Sequence, residues 1–226
     1  MADNYLESKF EEMRSRKGTR ILRTAGQPLD ILLLKNRSCR GYDPSVRVNR
    51  EMLKRLTAVC TKVPSARNQQ VLRFKLVTKE NGADIVQHYV KMGAGLPELH
   101  LPFEGTAPEA FIIVCSTVPE NKMVNIDLGI CAQSILLKAV ESGLNGLIIG
   151  AFNKSGLTEQ LHLPCEPLLV IAIGKSIENI RLTEISANEN HGYYRQNGIH
   201  YVPKVRVDDL LIPDGDENAE HKTAEP

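Results

Sequence analysis

Two short basic clusters bracket the chain. Lys35-Asn36-Arg37-Ser38-Cys39-Arg40 stands near its beginning and Val202-Pro203-Lys204-Val205-Arg206 near its end. Each holds closely spaced cations, and the first adds the Ser38 hydroxyl. Guanidinium forks and an ammonium can surround an organic phosphate with charge-assisted hydrogen bonds. Taken singly, either cluster is an ordinary solvated patch. The formal net charge is only +1, so a basic site must be local. Nothing in the charge balance points to nucleic acid or to an anionic membrane surface.

Other chemistry is poorly supplied. The chain has no GxSxG, SxxK, GxGxxG, P-loop, HExxH or CxxC. Gly93-Ala94-Gly95 runs into Leu-Pro rather than a helix start, so no phosphate cradle follows it. Glu98, Glu104 and Glu109 are spaced like solvated loop carboxylates. Six histidines are scattered without ligand spacing, which gives no metal site. Five cysteines, at 39, 60, 115, 131 and 165, form neither a disulfide framework nor a zinc pattern. They read as reduced thiols of a cytoplasmic protein, with Cys115 and Cys131 as small core residues. No side chain stands out as acid, base or nucleophile, so an enzyme built this way needs a cofactor to carry the reaction.

Two further segments suit such a group. Pro64-Ser65-Ala66-Arg67-Asn68-Gln69-Gln70 is a polar loop rich in hydrogen-bonding groups. Ile148-Ile149-Gly150-Ala151 offers backbone N–H groups beside small side chains, although its periodicity alone describes a core strand and a turn.

The elements that must position these residues follow from periodicity. The chain has 226 residues, 42% hydrophobic and 24% charged, enough for one sizeable core. A charged helix is expected over 4–17 and a short one from Leu29 to Lys35 with Ile31, Leu32 and Leu34 buried. Asn49 is a fitting N-cap for a helix over 50–61. Strands are expected at 74–78, 111–115, 147–152 and 168–174, with helices at 82–92, 125–142 and 155–161. Residues 93–108 form a long loop suited to gating. From 175 to 200 the chain is polar and is expected to leave the core, with a short strand at Tyr201-Val202. The N-terminus lacks the apolar stretch of a signal peptide, and no apolar run approaches a membrane span of roughly 18 residues. The expected organisation is an N-terminal helical extension (1–27), one α+β domain (28–210) and a disordered polar tail (211–226).

Together the motifs resemble the FMN-dependent nitroreductase family. Arg37-Ser38-Cys39-Arg40 with Tyr42 is similar to its opening Arg-Ser-x-Arg element. Pro64 to Gln70 partly matches its Pro-Ser-x-x-Asn-x-Gln loop, and the helix Asp127 to Ser134 running to Gly143-Leu144 its central dimer helix. Leu169 to Gly174 and Val202 to Arg206 follow in the family's order. The resemblance covers about 28–210. It departs at Val71-Leu72, where the family has Pro-Trp, at Gly150, where some members carry Glu, and in the short stretch between 78 and 111.

The resemblance implies a mainly antiparallel central sheet flanked by helices, in an intertwined homodimer with FMN at the subunit interface. It implies that Arg37, Ser38, Arg40, Lys204 and Arg206 hold the phosphate, ribityl chain and ring edge. Pro64, Ser65, Ala66 and Asn68 would reach the flavin of the other subunit. Ile148, Ile149, Gly150 and Ala151 would line the ring, and Asp127 would face it or its pocket. The implied activity passes electrons from NADH or NADPH through FMN to a small acceptor such as a nitroaromatic or quinone. The sequence leaves open the acceptor and the nicotinamide. It also leaves open a flavin-binding protein without turnover, a dehalogenase-type enzyme, and a basic interaction protein with an acidic partner.

Overall fold

Phe111-Ile112-Ile113-Val114-Cys115 contains no polar residue because both of its faces are covered. The computed structural model describes residues 28–93 and 101–213. The expected helix at 4–17, residues 94–100 of the expected loop and the tail from 214 lie outside the described residues. In chain order the helices are α1 (Leu29–Lys35), α2 (Arg50–Thr57), α3 (Ala83–Tyr89), α4 (Lys122–Glu141) and α5 (Lys154–Gln160). Strands β1 (Leu72–Val77), β2 (Ala110–Ser116), β4 (Glu166–Gly174) and β3 (Asn145–Ile149) lie side by side in that order, every pair antiparallel. This is the expected α+β architecture, with the sheet between helices.

Strand alternation divides the core in two. Ile112 and Val114 of β2 and Ile171 and Ile173 of β4 pack with Leu53 and Leu56 of α2 and Val124, Ile135 and Ala139 of α4. Phe111, Ile113 and Cys115, with Val170 and Ala172, pack with Ala83 and Val86 of α3 and Leu157 of α5. All seven residues of β2 are buried. A large side chain taken fully from water contributes about 2 kcal/mol. The Phe111–Val114 run therefore outweighs the surface ion pairs, each of which contributes at most about 1 kcal/mol.

Helix α4 begins three residues before the expected start because Asn121 caps it, accepting from the N–H of Met123 and Val124 at 2.9 and 3.2 Å. It ends in a Schellman turn: the Leu144 N–H donates to the Ala139 carbonyl and the Gly143 N–H to that of Val140, with Gly143 at φ +78°. By length and composition α4 is apolar enough to cross a bilayer, contrary to the expectation that no stretch approaches a span. Its apolar residues are used on the sheet instead, as Val124, Cys131, Ala132, Ile135 and Ala139 join the core. Asn49 caps α2 as expected, accepting from the Met52 N–H at 2.9 Å. Helix α1 departs from expectation. Ile31 and Leu34 are exposed and Leu32 half-buried, because among the described residues this helix is covered only where it meets α4.

The polar stretch after 175 does leave the four-stranded sheet, but it is not irregular. It builds β5 (Asn179–Ile185), β6 (Tyr194–Gln196) and β7 (Ile199–Val205), in the order β5-β7-β6. β5 runs parallel to β7, and β6 and β7 form an antiparallel hairpin. Asn197-Gly198 turns that hairpin with both residues at positive φ, the backbone that a two-residue hairpin loop requires. Pro203 falls beyond the last residue of β7 paired with β6, where only β5 flanks it.

Candidate functional site

The first basic cluster leaves α1 in an extended conformation and is tied to the start of β3. Asn145 makes the tie. Its Nδ2 donates to the Lys35 carbonyl at 2.8 Å, and its Oδ1 accepts from the Arg37 N–H at 3.3 Å. Ser38 then bridges Gly146 in parallel, and the Cys39 N–H donates to the Gly146 carbonyl at 3.1 Å. Only glycine fits at 146, since a Cβ there would lie 2.4 Å from the Ala172 carbonyl oxygen. Tyr42, 3% exposed, closes the segment by donating its hydroxyl to the Cys39 carbonyl at 2.7 Å.

The small sheet lies against this segment. The Arg40 N–H donates to Glu178 Oε2 at 2.8 Å, and the other Glu178 oxygen pairs with Arg195 of β6. The Arg40 guanidinium sits over the Tyr193 ring, 5.5 Å from its centre, and Tyr193 meets His200 edge-on. Between the two sheets lies a cavity of about 280 Å³. Arg37, Ser38 and Arg40 line one side, and Lys204, His200 and Tyr193 of the small sheet another. Ile148 and Gly146 of β3 and Gln133 of α4 complete the wall.

Cations and hydrogen-bond donors dominate the polar part of this wall, and no carboxylate among the described residues lines it. Nε of Arg37, Nε of Arg40 and Nδ1 of His200 are buried without a hydrogen-bond partner among the described residues. Buried groups in that state are costly unless an acceptor meets the site. Burial also lowers the Arg37 pKa from its ordinary value. His200 is held below its usual value by burial first and then by the Arg195 cation, with Glu178 opposing. A neutral imidazole among arginines is what a strongly cationic pocket produces.

The other expected site residues fall elsewhere. Ile149 is buried in the core face opposite Ile148. Gly150 and Ala151 are exposed just beyond β3, and a Cβ on Gly150 would meet open space. Arg206 does not line the cavity; its Nε lies 3.1 Å from Asp209 Oδ2. Pro64, Ser65 and Asp127 line a second, apolar cleft of about 430 Å³ between α2, β1 and α4. Asp127, 4% exposed, accepts the Ala66 N–H at 2.8 Å and so anchors the 64–70 loop. That loop is strained: Arg67, Asn68 and Gln70 all have positive φ. Within one chain, none of its residues lines the basic cavity.

Sequence reasoning missed Asn145, Tyr193 and His200. Asn145 directly follows the expected helix end, and no local pattern marks its role. The Asn197-Gly198 dipeptide was the available signal for the hairpin that carries Tyr193 and His200 to the cavity.

A helix-flanked antiparallel sheet with a cationic cavity beside its edge strand defines the class of protein. The sequence profile of the nitroreductase family matches residues 33–175, more than half of the chain, and the chain belongs to that family. Comparison with curated proteins gives no match. Solved structures share the fold. A nitroreductase family protein from Streptococcus pneumoniae TIGR4 aligns over 83% of this chain and 100% of its own, at 16% identity and a TM-score of 0.59. An FMN-dependent nitroreductase from Clostridium difficile R20291 aligns over 74% and 97%, at 22% and 0.54. A variant of the FMN and NADPH-dependent nitroreductase NfnB from Sphigopyxis sp. strain HMH aligns over 67% and 89%, at 18% and 0.54. The family match ends at 175, so the small sheet with Tyr193, His200 and Lys204 lies beyond the matched segment.

Proposed function

We propose that the protein is an FMN-dependent oxidoreductase that passes electrons from NADH or NADPH to a small acceptor such as a nitroaromatic or quinone. The observation that carries this reading is the convergence of Arg37, Ser38 and Arg40 with Lys204 on one cavity, although 164 positions separate Arg40 from Lys204. The unpartnered Nε atoms of Arg37 and Arg40 fit a phosphate dianion, which carries only acceptors.

When bound, FMN supplies the two-electron chemistry that no side chain lining this cavity offers. Arg37, Arg40 and Lys204 neutralise its phosphate, and the Ser38 hydroxyl serves the phosphate or ribityl chain. Ile148, 42% exposed on the cavity, gives apolar surface to the ring. The N–H groups of Gly150 and Ala151 lie further along the same edge, open to a flat ligand. Ile149 acts through its backbone, its side chain being core. Arg206 lies two residues from Lys204 and adds positive potential. Donors fixed in a low-dielectric wall stabilise negative charge on a bound ring better than water does.

The active form is a homodimer in which Pro64, Ser65, Ala66 and Asn68 serve the flavin held by the other subunit, with Asp127 fixing their loop. Two observations support this. The loop stands apart from the basic cavity of its own chain. Leu29 and Leu34 of α1 and Ile126 of α4 are 59%, 58% and 46% exposed, apolar surface that a second subunit would cover. The test is the visible spectrum of the purified protein, followed by NADH and NADPH oxidation with menadione. A yellow protein with acceptor-dependent oxidation is expected. A colourless protein that takes up no FMN overturns the reading.

A further inference from the structure

Four of the five cysteines, isolated in sequence, meet as pairs in the fold: Cys60 with Cys131 and Cys115 with Cys165. Each pair joins a buried thiol (Cys131, 7% exposed; Cys115, 3%) to a half-buried one, and the pairs differ in what they line. Cys60 and Cys131 both line the apolar cleft of about 430 Å³ that opens between α2, β1 and α4. Cys60 sits in the 3-10 turn Ala58–Thr61 and packs on α4. Its sulfur lies 4.0 Å from the Cys131 carbonyl oxygen.

We propose that Cys60 and Cys131 are a reversible oxidation site, a dithiol in the cleft wall that a small peroxide converts to an intramolecular disulfide. The reaction balances with hydrogen peroxide as oxidant. The Cys131 thiolate attacks one peroxide oxygen, the O–O bond breaks, and hydroxide leaves and takes up the proton that Cys131 released, giving one water. The Cys60 sulfur then displaces the oxygen from the Cys131 sulfenic acid. An S–S bond forms, and the Cys60 proton leaves with the displaced hydroxide as a second water. Two electrons pass from the sulfurs to the peroxide.

Cys60 and Cys131 share one cleft wall, so a sulfenic acid formed at either sulfur has the other thiol as its resolving partner. Burial pushes Cys39 up to about 11 and Cys115 up to about 12, which keeps both as unreactive thiols. The bridge also has a structural consequence. Asp127 and Cys131 are one helical turn apart on α4, and Asp127 already holds Ala66. A disulfide at Cys131 would pin the chain at 60 as the carboxylate pins it at 66, stiffening the entry to the strained 64–70 loop.

The test is peptide mass spectrometry of the full-length protein after brief hydrogen peroxide treatment, digested with trypsin without reduction. Cys60 falls in the tryptic peptide 56–62 and Cys131 in 123–138. The expected result is these two peptides joined, and separated again by dithiothreitol. In Cys60→Ser the resolving thiol is gone, and dimedone should trap Cys131 sulfenic acid about tenfold more than in the wild type. The wild-type digest stands by itself should that variant fail to fold. Recovery of Cys60 and Cys131 as free thiols after peroxide has oxidised other cysteines overturns the proposal. So does a Cys115–Cys165 bridge formed in preference.

Discussion

Arg37 and Arg40 are placed by residues that are not basic. Asn145 holds the backbone on one side, Glu178 on the other, and Tyr42 beneath. Two residue-scale predictions follow. Gly146→Ala should cost about 3 kcal/mol of stability in chemical denaturation, because a Cβ would meet the Ala172 carbonyl and the Leu136 side chain at 2.4 and 2.6 Å. Gly150→Ala, with open space around its Cβ, should cost far less. His200 gives a pH signature. Its folded pKa lies below the unfolded value of about 6.5, so between the two the unfolded chain binds more protons. Its contribution is fully present above about pH 6.5 and is lost as pH falls through the lowered value. In phosphate-free buffer the wild-type melting temperature should fall more steeply on acidification than that of His200→Gln. At this scale Arg37, Ser38, Arg40 and Lys204 were legible as candidates because two basic clusters occur together with the family's other motifs, whereas Arg206 turns to Asp209 instead. Their positioners were not: Asn145 and Glu178 act across long separations, and no local pattern marks such partners.

At the scale of elements, buried strands and the central helix were legible, because β2, β4 and α4 are long, apolar and bounded by caps or turns. The small sheet was not. β5 mixes exposed and half-buried residues, none fully buried, and pairs in parallel with a strand about twenty residues on, so its register is non-local. The buried side chains expected in α1 failed for a different reason: an apolar pattern names a face to be covered, not the chain that covers it. The 64–70 loop gives the testable case. Its anchor is the buried Asp127 carboxylate. Asp127→Ala should lower stability by about 1–3 kcal/mol and speed amide hydrogen exchange at Ala66. Asp127→Asn, which keeps an acceptor of the same shape, should do both to a smaller degree. Equal exchange at Ala66 in all three proteins would show that the loop is held by something else.

For the whole molecule, the segment 199–204 returns to the segment 36–40 across the edge of the four-stranded sheet, and the small sheet makes that return possible. The exposed leucines of α1 and Ile126 of α4 carry the expectation of a homodimer. Light scattering should give twice the chain mass, and Leu34→Glu with Ile126→Glu should shift it toward one chain. A wild-type protein of single-chain mass at all concentrations would contradict that assembly. In the proposed site Arg37, Ser38 and Arg40 form one phosphate grip with the distant Lys204. The most direct test of that grip is a fluorescence titration of the flavin-stripped protein with FMN and, separately, riboflavin, repeated for Lys204→Ala. One charge-assisted contact contributes about 1.5–3 kcal/mol, so the wild type should bind FMN at least about tenfold more tightly than riboflavin. Lys204→Ala should weaken FMN and leave riboflavin unchanged. Equal affinity of the wild type for the two flavins would contradict the claim.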